Sequence, residues 1–538
     1  MKLLLTKNYH LILGVVFLFL SLQIQLFAQI LAITAPPNVI LIVVDDLGWK
    51  DVSYHGSEIQ TPTIDKLATE GVELNRFYVH PACSPTRSSL MTGKAALRLG
   101  FLNPLGKNNV KGLPLSEKIM PQYFKEKGYT TNLIGKWHLG RYKKEYWPNN
   151  RGFDHFYGYL TGGIGHYNHL HGGGLDWQRN GKTIREEGYS THLLTNETIK
   201  IIQQKKSDKP LFIELCYAAP HLPNEAPETA IAPYQHLGNK NRQIHAAMVS
   251  EIDKGIQKIY QTLEQEGLLD NTIIWFMSDN GGLNFEGSPK EIREPIKKMT
   301  EIWGRPLPIA ILDFFRDNFE SGASDNSPFR GGKMTVYEGG VRVPSFIYAP
   351  KFLPTQKNNH QITVNDVLPT LATAIDCSTF NTTNVDGRSQ WRALKKQSKP
   401  ISSPFIVHAQ FGEAYYKNQW KLRLSSSGEA ELYQIEKDPT EINNVATQNP
   451  EVVTALIEEL QAFPRGAVVN DPLWKVAIDP DIFGGAGENR SPYAGLEGAI
   501  RGPLHPIYYI VPLMLLAIIG LAWRRKKRRT KKVLFQKK

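Results

Sequence analysis

At 538 residues, with 41% hydrophobic and 21% charged side chains, the chain is long enough for a large domain plus a smaller one, and too ordinary in composition for a disordered or low-complexity protein. Its formal charge of +12 suggests nucleic acid, but residues 524–538 carry ten Lys and Arg with no acid, and Lys2 and Lys7 lie in the leader, so the remainder is neutral. No basic folded surface is left to release counterions, and nucleic acid is excluded as a partner.

In chain order, residues 1–28 read as a secretory leader: two lysines, an apolar run from Leu11 to Leu22, and Leu26-Phe27-Ala28 as a weak cleavage site. The competing reading is an uncleaved anchor from Leu11 to Ile33. Either way the bulk is expected to cross a membrane. Short apolar runs rich in β-branched residues then alternate with helical patterns, which predicts an α/β fold with a large, mixed, mostly parallel sheet flanked by helices. Four runs end on polar groups: Val39 to Val44 at Asp45-Asp46, Tyr129 to Ile134 before Gly135-Lys136-Trp137-His138, Leu211 to Tyr217 before Pro220-His221, and Thr272 to Met277 before Asp279-Asn280-Gly281-Gly282. Ligands of open α/β sheets bind outside the carboxyl ends of the strands, so these four stretches can converge on one crevice.

Residues 283–327 form an insertion with helix-like material at Ile292 to Ile302 and Ala310 to Phe319, which is either a lid or substrate-selecting element or plain surface elaboration. The large domain is placed at 36–385. A small C-terminal α+β unit follows at 386–478, with strands FIVHAQ, WKLRLSS and AELYQI and a helix from about Pro450 to Phe463. Residues 479–505 read as a stalk, 507–523 as a short C-terminal transmembrane helix, and 524–538 as a basic cytoplasmic tail, which together predict an exported domain anchored by one span. A buried core helix and a processed sorting signal are the alternatives for 507–523.

The chain has three cysteines, too few for a disulfide framework. Cys216 lies in the apolar run LFIELCY as core filler, and Cys377 carries no signal. Cys83 differs, because PACSPTRSSLMTG reads as a loop entering a helix with Pro85 in its first turn. Cys83 is then at the helix N-terminus, with Arg87 four residues on along the same face, a setting that favours an anion. A thiolate nucleophile or redox cysteine suits the same setting. The Gly- and His-rich stretch Gly162 to Gly174 reads as substrate-contacting or as a surface loop, with a second metal site from His166, His169 and His171 as a further alternative.

The segment CSPTRSSLMTG resembles the C-x-P-x-R signature of the formylglycine-dependent sulfatases, which have an alkaline-phosphatase-like fold. VVDDLGW, GKWHLG, RGFDHFYGYLTG, APHLP, SDNGG and RGGKMTVYEGGVRVP accompany it in the expected order, followed by DVLPTL, DGRS and ELYQIEKDPTEINNVA. GKWHLG and RGFDHFYGYLTG look most like arylsulfatase B, which acts on N-acetylgalactosamine 4-sulfate ends. The few cysteines, the long insertion and the expected membrane tail depart from that relative.

The resemblance implies that a maturation enzyme converts Cys83 to formylglycine, and that Asp45, Asp46, Asp279 and Asn280 hold one Ca²⁺ together with an oxygen of residue 83. Three carboxylates and an amide suit a hard cation rather than Zn²⁺. It further implies that Arg87 and Lys136 steady the hydrated aldehyde and the sulfate, that His138 acts as base, and that His221 with Lys333 assists the leaving oxygen. The substrate implied is a sulfated saccharide or aryl sulfate. The alternatives are a phosphomonoester or phosphonate hydrolase on the same scaffold, and a catalytically silent, membrane-bound glycan-binding protein.

Overall fold

The computed structural model describes residues 35–469 apart from 107–108, 172–173, 207–208 and 304–319. Its centre is a ten-stranded sheet. In chain order the strands are β1 (Asn38–Val44), β2 (Val72–Leu74), β3 (Thr130–Lys136), β4 (His155–Tyr159), β5 (Gln178–Arg179), β6 (Lys182–Thr183), β7 (Leu211–Cys216), β8 (Thr272–Ser278), β9 (Ser345–Tyr348) and β10 (Gln356–Asn358). Their spatial order is β10-β2-β9-β8-β1-β7-β3-β4-β5-β6. The five central strands from β8 to β4 are parallel, and antiparallel pairs lie to either side.

The parallel strands read as unbroken apolar runs because both sheet faces are covered. Along β1, Val39, Leu41 and Val43 enter one core while Ile40, Ile42 and Val44 enter the other. The first core lies under α2 (Cys83–Thr92) and α6 (Val364–Ala374). The second lies under α1 (Pro62–Glu70), α3 (Ser190–Gln203) and the long α4 (Lys240–Gln265). In the insertion, α5 (Lys290–Trp303) takes up the expected first helical stretch, whereas the second falls outside the described residues.

The C-terminal unit is a four-stranded antiparallel meander, β11 (Phe405–Ala409), β12 (Gly412–Lys417), β13 (Trp420–Ser425) and β14 (Ala430–Gln434), with α7 (Pro450–Ala462) against one face. Phe405, Val407, Ala414 and Tyr416 on its other face join the first core of the large sheet. One buried ion cluster fastens this join. The Lys421 ammonium lies 3.1 Å from Glu338 and 2.6 Å from Glu441, and the Tyr78 and Tyr416 hydroxyls donate to Glu338.

The expected C-terminal transmembrane helix is not upheld. Among the described residues no helix is long and apolar enough to cross a membrane. Residues 507–523, on which that expectation rested, lie outside the described residues, as do the leader, stalk and tail. The fold class therefore stands as a mixed α/β sheet with a small C-terminal α+β unit, and the anchored localisation is withdrawn with the span.

Candidate active site

The four polar strand ends meet at the carboxyl edge of the sheet. β1 delivers Asp45 and Asp46, β8 delivers Asp279 and Asn280, β3 ends on Lys136, and the turn after β7 leads to His221. β3 runs two residues further than its apolar run, through Gly135 and Lys136. Gly135 has φ +105°, and a Cβ there would lie 1.8 Å from the Cys216 carbonyl oxygen, so only glycine lets the strand continue to Lys136 at this spacing.

Cys83 is the first residue of α2, after an extended Ala82, and all ten residues of the helix are buried. Its polar side chains are satisfied within the protein. Arg87 donates to Asp279 Oδ2 from Nε at 3.1 Å and from Nη2 at 2.8 Å, and to the Lys136 carbonyl at 3.1 Å. Lys136 Nζ lies 2.6 Å from Asp45 Oδ2, with both side chains fully buried. Lys333 Nζ lies 2.7 Å from Asp46. Each cation thus has a carboxylate partner, and the pairing keeps buried charge affordable.

Two oxygens in this cluster have no partner. Asp45 Oδ1 and Asn280 Oδ1 are buried and accept no hydrogen bond. The Asn280 amide nitrogen donates to Asp46 Oδ1 at 2.7 Å, and the Asp46 N–H donates to Asp279 Oδ1 at 3.3 Å, so the acids and amide form one knot. Asp46 itself has φ +67°, an uncommon conformation for a non-glycine residue. Orphaned buried oxygens are costly, and the open oxygens of Asp45 and Asn280 beside Asp46 fit a hard divalent cation, whereas both oxygens of Asp279 already accept, from the Asp46 N–H and from Arg87. Ligand atoms of Asp45, Asp46 and His221 also lie within 4.8 Å of one another, so His221 borders the same position.

Burial, together with Asp279, pushes the Asp45 carboxyl up to about 8 despite Lys136. Burial works the same way on Asp46, but Lys333 and His221 outweigh it and hold that carboxyl below the usual range. The Cys83 thiol is pushed up by burial against the opposing pull of Lys136 and Lys333, which disfavours the thiolate reading of this residue.

The two motif histidines are aimed differently. His138 Nε2 lies 2.9 Å from the Leu105 carbonyl oxygen, which can only accept, so Nε2 carries the proton and Nδ1 is left bare, 3.1 Å from Cys83 Sγ. Burial and Lys136 keep this ring neutral. His221 Nδ1 likewise faces the Leu222 carbonyl at 2.8 Å, and its Nε2 faces Asp46 Oδ2 at 3.7 Å. Burial and Lys333 bring His221 down to about 3.

All of Cys83, Arg87, Lys136, His138, His221, Lys333, Asp45, Asp46, Asp279 and Asn280 therefore belong to one constellation. The alternative of a second metal site from the loop histidines finds no support among the described residues. The His166 ring lies 3.0 Å from Ser190 Oγ and 2.9 Å from the His221 carbonyl oxygen, while His169 stacks on Trp177 at 4.3 Å. Among the described residues no metal-compatible group includes His166, His169 or His171. His166 supports the His221 segment instead.

Gly162, in the stretch read as substrate-contacting or as a surface loop, backs His138, since a Cβ there would lie 2.6 Å from the His138 ring. At Gly163 a Cβ would approach the His221 ring to 3.0 Å. The paired glycines of YLTGG were the available signal, because glycine is favoured where backbone must pass close to another group.

Residues 37–377 match the Sulfatase family model, and the chain belongs to the sulfatase family. It is 34% identical to arylsulfatase J of Mus musculus over 69% of this chain and 58% of that protein. It is 30% identical to N-acetylgalactosamine-6-sulfatase of Homo sapiens over 61% of this chain and 59% of that one. The match thus spans about three fifths of the length of these relatives. Among solved structures, Ps i-CgsB in complex with k-i-k-neocarrahexaose superimposes with a TM-score of 0.69 at 30% identity, over 79% of this chain and 92% of that one.

Proposed function

We propose that this protein hydrolyses sulfate esters of saccharides, with residue 83 matured from cysteine to formylglycine as the nucleophile and one Ca²⁺ beside it. The observation that carries the reading is the position of Cys83. It begins a buried helix, 3.1 Å from the bare Nδ1 of a neutral His138, beside three cations that are each tied to an acid. The family match and the saccharide-bound neighbour support a sulfated glycan as substrate.

Asp45, Asp46, Asp279 and Asn280 would hold the cation, which when bound supplies polarisation of a sulfate oxygen. The chain's own groups do the rest. Arg87, Lys136 and Lys333 place positive charge where the sulfate must sit and offset the charge it brings. His138 Nδ1 accepts a proton from the side chain of residue 83, since its other nitrogen is committed to Leu105. Lys333, held at Asp46, would donate to the departing oxygen, with the neutral His221 beside it, its Nδ1 proton committed to the Leu222 carbonyl.

The arylsulfatase B type of substrate, N-acetylgalactosamine 4-sulfate, is one member of the panel that tests this reading. Protein from its native host should carry the aldehyde at residue 83 by peptide mass spectrometry, which also reports on the maturation enzyme. It should release sulfate from a defined saccharide, and prefer p-nitrophenyl sulfate to p-nitrophenyl phosphate. Faster phosphate release would establish the phosphohydrolase instead, and an unmodified thiol with saccharide binding but no turnover would establish the silent glycan-binding protein.

A further inference from the structure

Three buried residues from separate segments close a ring of hydrogen bonds around the imidazole of His138. The Leu105 N–H donates to Ser84 Oγ at 3.0 Å, Ser84 Oγ donates to the His138 carbonyl at 3.0 Å, and His138 Nε2 donates to the Leu105 carbonyl at 2.9 Å. Every direction in the ring is forced. A backbone N–H can only donate and a carbonyl only accept, so the hydroxyl must spend its single proton on His138 and the imidazole must carry its own on Nε2. Ser84 is fully buried and His138 is 4% exposed, so water does not substitute for these bonds.

Further contacts hold His138 in the same pose. Its backbone has φ +55°, in the left-handed region that few non-glycine residues occupy, histidine more often than most. Its N–H is held by the Leu160 carbonyl at 3.2 Å, and Ser84 holds the other side of the residue at its carbonyl. The ring is backed by Gly162, where any side chain would collide with it. The result is a fixed aim, with Nδ1 3.1 Å from the side chain of residue 83.

We propose that Ser84 is a positioning residue: its hydroxyl joins the His138 carbonyl to the Leu105 N–H and thereby fixes which imidazole nitrogen faces residue 83. The consequence for turnover rests on the sulfatase reading above, whereas the aim of the ring does not. Misplacing a proton acceptor by about 1 Å costs up to about a hundredfold in rate without touching substrate affinity.

Ser84→Ala should therefore lower kcat on the order of ten- to a hundredfold per aldehyde-bearing molecule, with KM within about twofold of wild type. Aldehyde content is counted by peptide mass spectrometry, so incomplete maturation is not mistaken for slow turnover. In a His138→Ala background the same substitution should cost less than about twofold, because nothing is left to aim. Histidine ¹⁵N resonances of the mature protein provide a readout independent of turnover. His138 should show the Nε2-protonated form in wild type and lose its single form in Ser84→Ala. An unchanged kcat per aldehyde, an equal loss in the His138→Ala background, or an unaltered His138 resonance in Ser84→Ala would each overturn the proposal. A wild-type protein that releases no sulfate from any ester sinks only the sulfatase reading, and the resonance then decides the role of Ser84.

Discussion

Two buried aspartate clusters lie six residues apart in the same segment, and they are constructed in opposite ways. The Asp51 carboxylate is fully buried and saturated. Oδ1 accepts from Arg242 Nη1 at 2.5 Å and the Asp325 N–H at 3.0 Å, while Oδ2 accepts from the Gly48 N–H at 2.9 Å, His245 Nε2 at 2.9 Å and Ser324 Oγ at 2.7 Å. Asp45 is equally buried, yet one of its oxygens accepts nothing, and Asn280 across from it shows the same vacancy. The Asp51 cluster fills every acceptor, whereas an unfilled buried one costs about 1–3 kcal/mol, a cost that Gln178 Oε1 and Asn365 Oδ1 bear elsewhere in the fold. Under the proposed function the open pair beside Asp46 is where a cation would be held, and both kinds of aspartate arise within VVDDLGWKD.

The comparison breaks most sharply at residue 83. Cys83→Ala is expected to abolish turnover in a sulfate-release assay while leaving the melting temperature within a few degrees, since the proposed nucleophile is lost and little volume changes. Measurable turnover by the alanine variant would remove residue 83 from its role.

Next in size is the loss of the proposed cation. Stripping with a chelator should abolish activity, and restoring Ca²⁺ at a hundred times its dissociation constant should stabilise the fold by about 2.7 kcal/mol. Asp45→Asn should erase most of that calcium-dependent shift in a thermal melt. A shift of wild-type size in the variant would mean that the open oxygens do not serve a cation.

Asp51→Asn tests the saturated cluster. Removing one member of a buried pair is expected to cost about 3–5 kcal/mol in denaturant unfolding, with kcat falling less than stability. The pH dependence has a definite sign. Burial raises the Asp51 carboxyl, but His245 and Arg242 outweigh it and hold it below the usual carboxylate range. Its contribution is therefore complete above about pH 4 and is lost as the pH falls toward the depressed folded value. The asparagine variant should lack this acid limb, and equal acid sensitivity in both proteins would contradict the assignment.

The smallest effect belongs to an exposed pair. Arg465 meets Glu413 at 2.6 Å with two fifths of its side chain in solvent, so Arg465→Ala should cost less than about 1 kcal/mol and leave turnover unchanged. A loss comparable to that of Asp51→Asn would remove burial as the factor that separates the two.

Much of the fold was legible because its signals are local. Four of the five central strands announced themselves as apolar runs, and the Pro85 context placed Cys83 at a helix start, where the structure has it. β12 was missed because GEAYYK mixes polar and aromatic residues. Only pairing with β11 and β13 buries its Ala414 and Tyr416. The two extra residues of β3 were missed because Gly135 and Lys136 do not resemble an apolar strand, although Gly135 is the residue that permits the extension.

The sequence by itself determined the strand ends, the Cys83 motif and the identities of the ten clustered side chains, since each depends on residues adjacent in the chain. Tertiary structure decided which acids are saturated and which stay open. Asp51 finds Arg242, His245 and Ser324 some 190 to 270 positions away, and no such donor reaches Asp45 Oδ1. It also decided the role of Ser84, because a hydroxyl can bridge Leu105 and His138 only after three segments have packed into a space without water. Hydrogen bonds are short-ranged and directional, so their pairing follows from the packed arrangement of the segments and not from the order of residues along the chain.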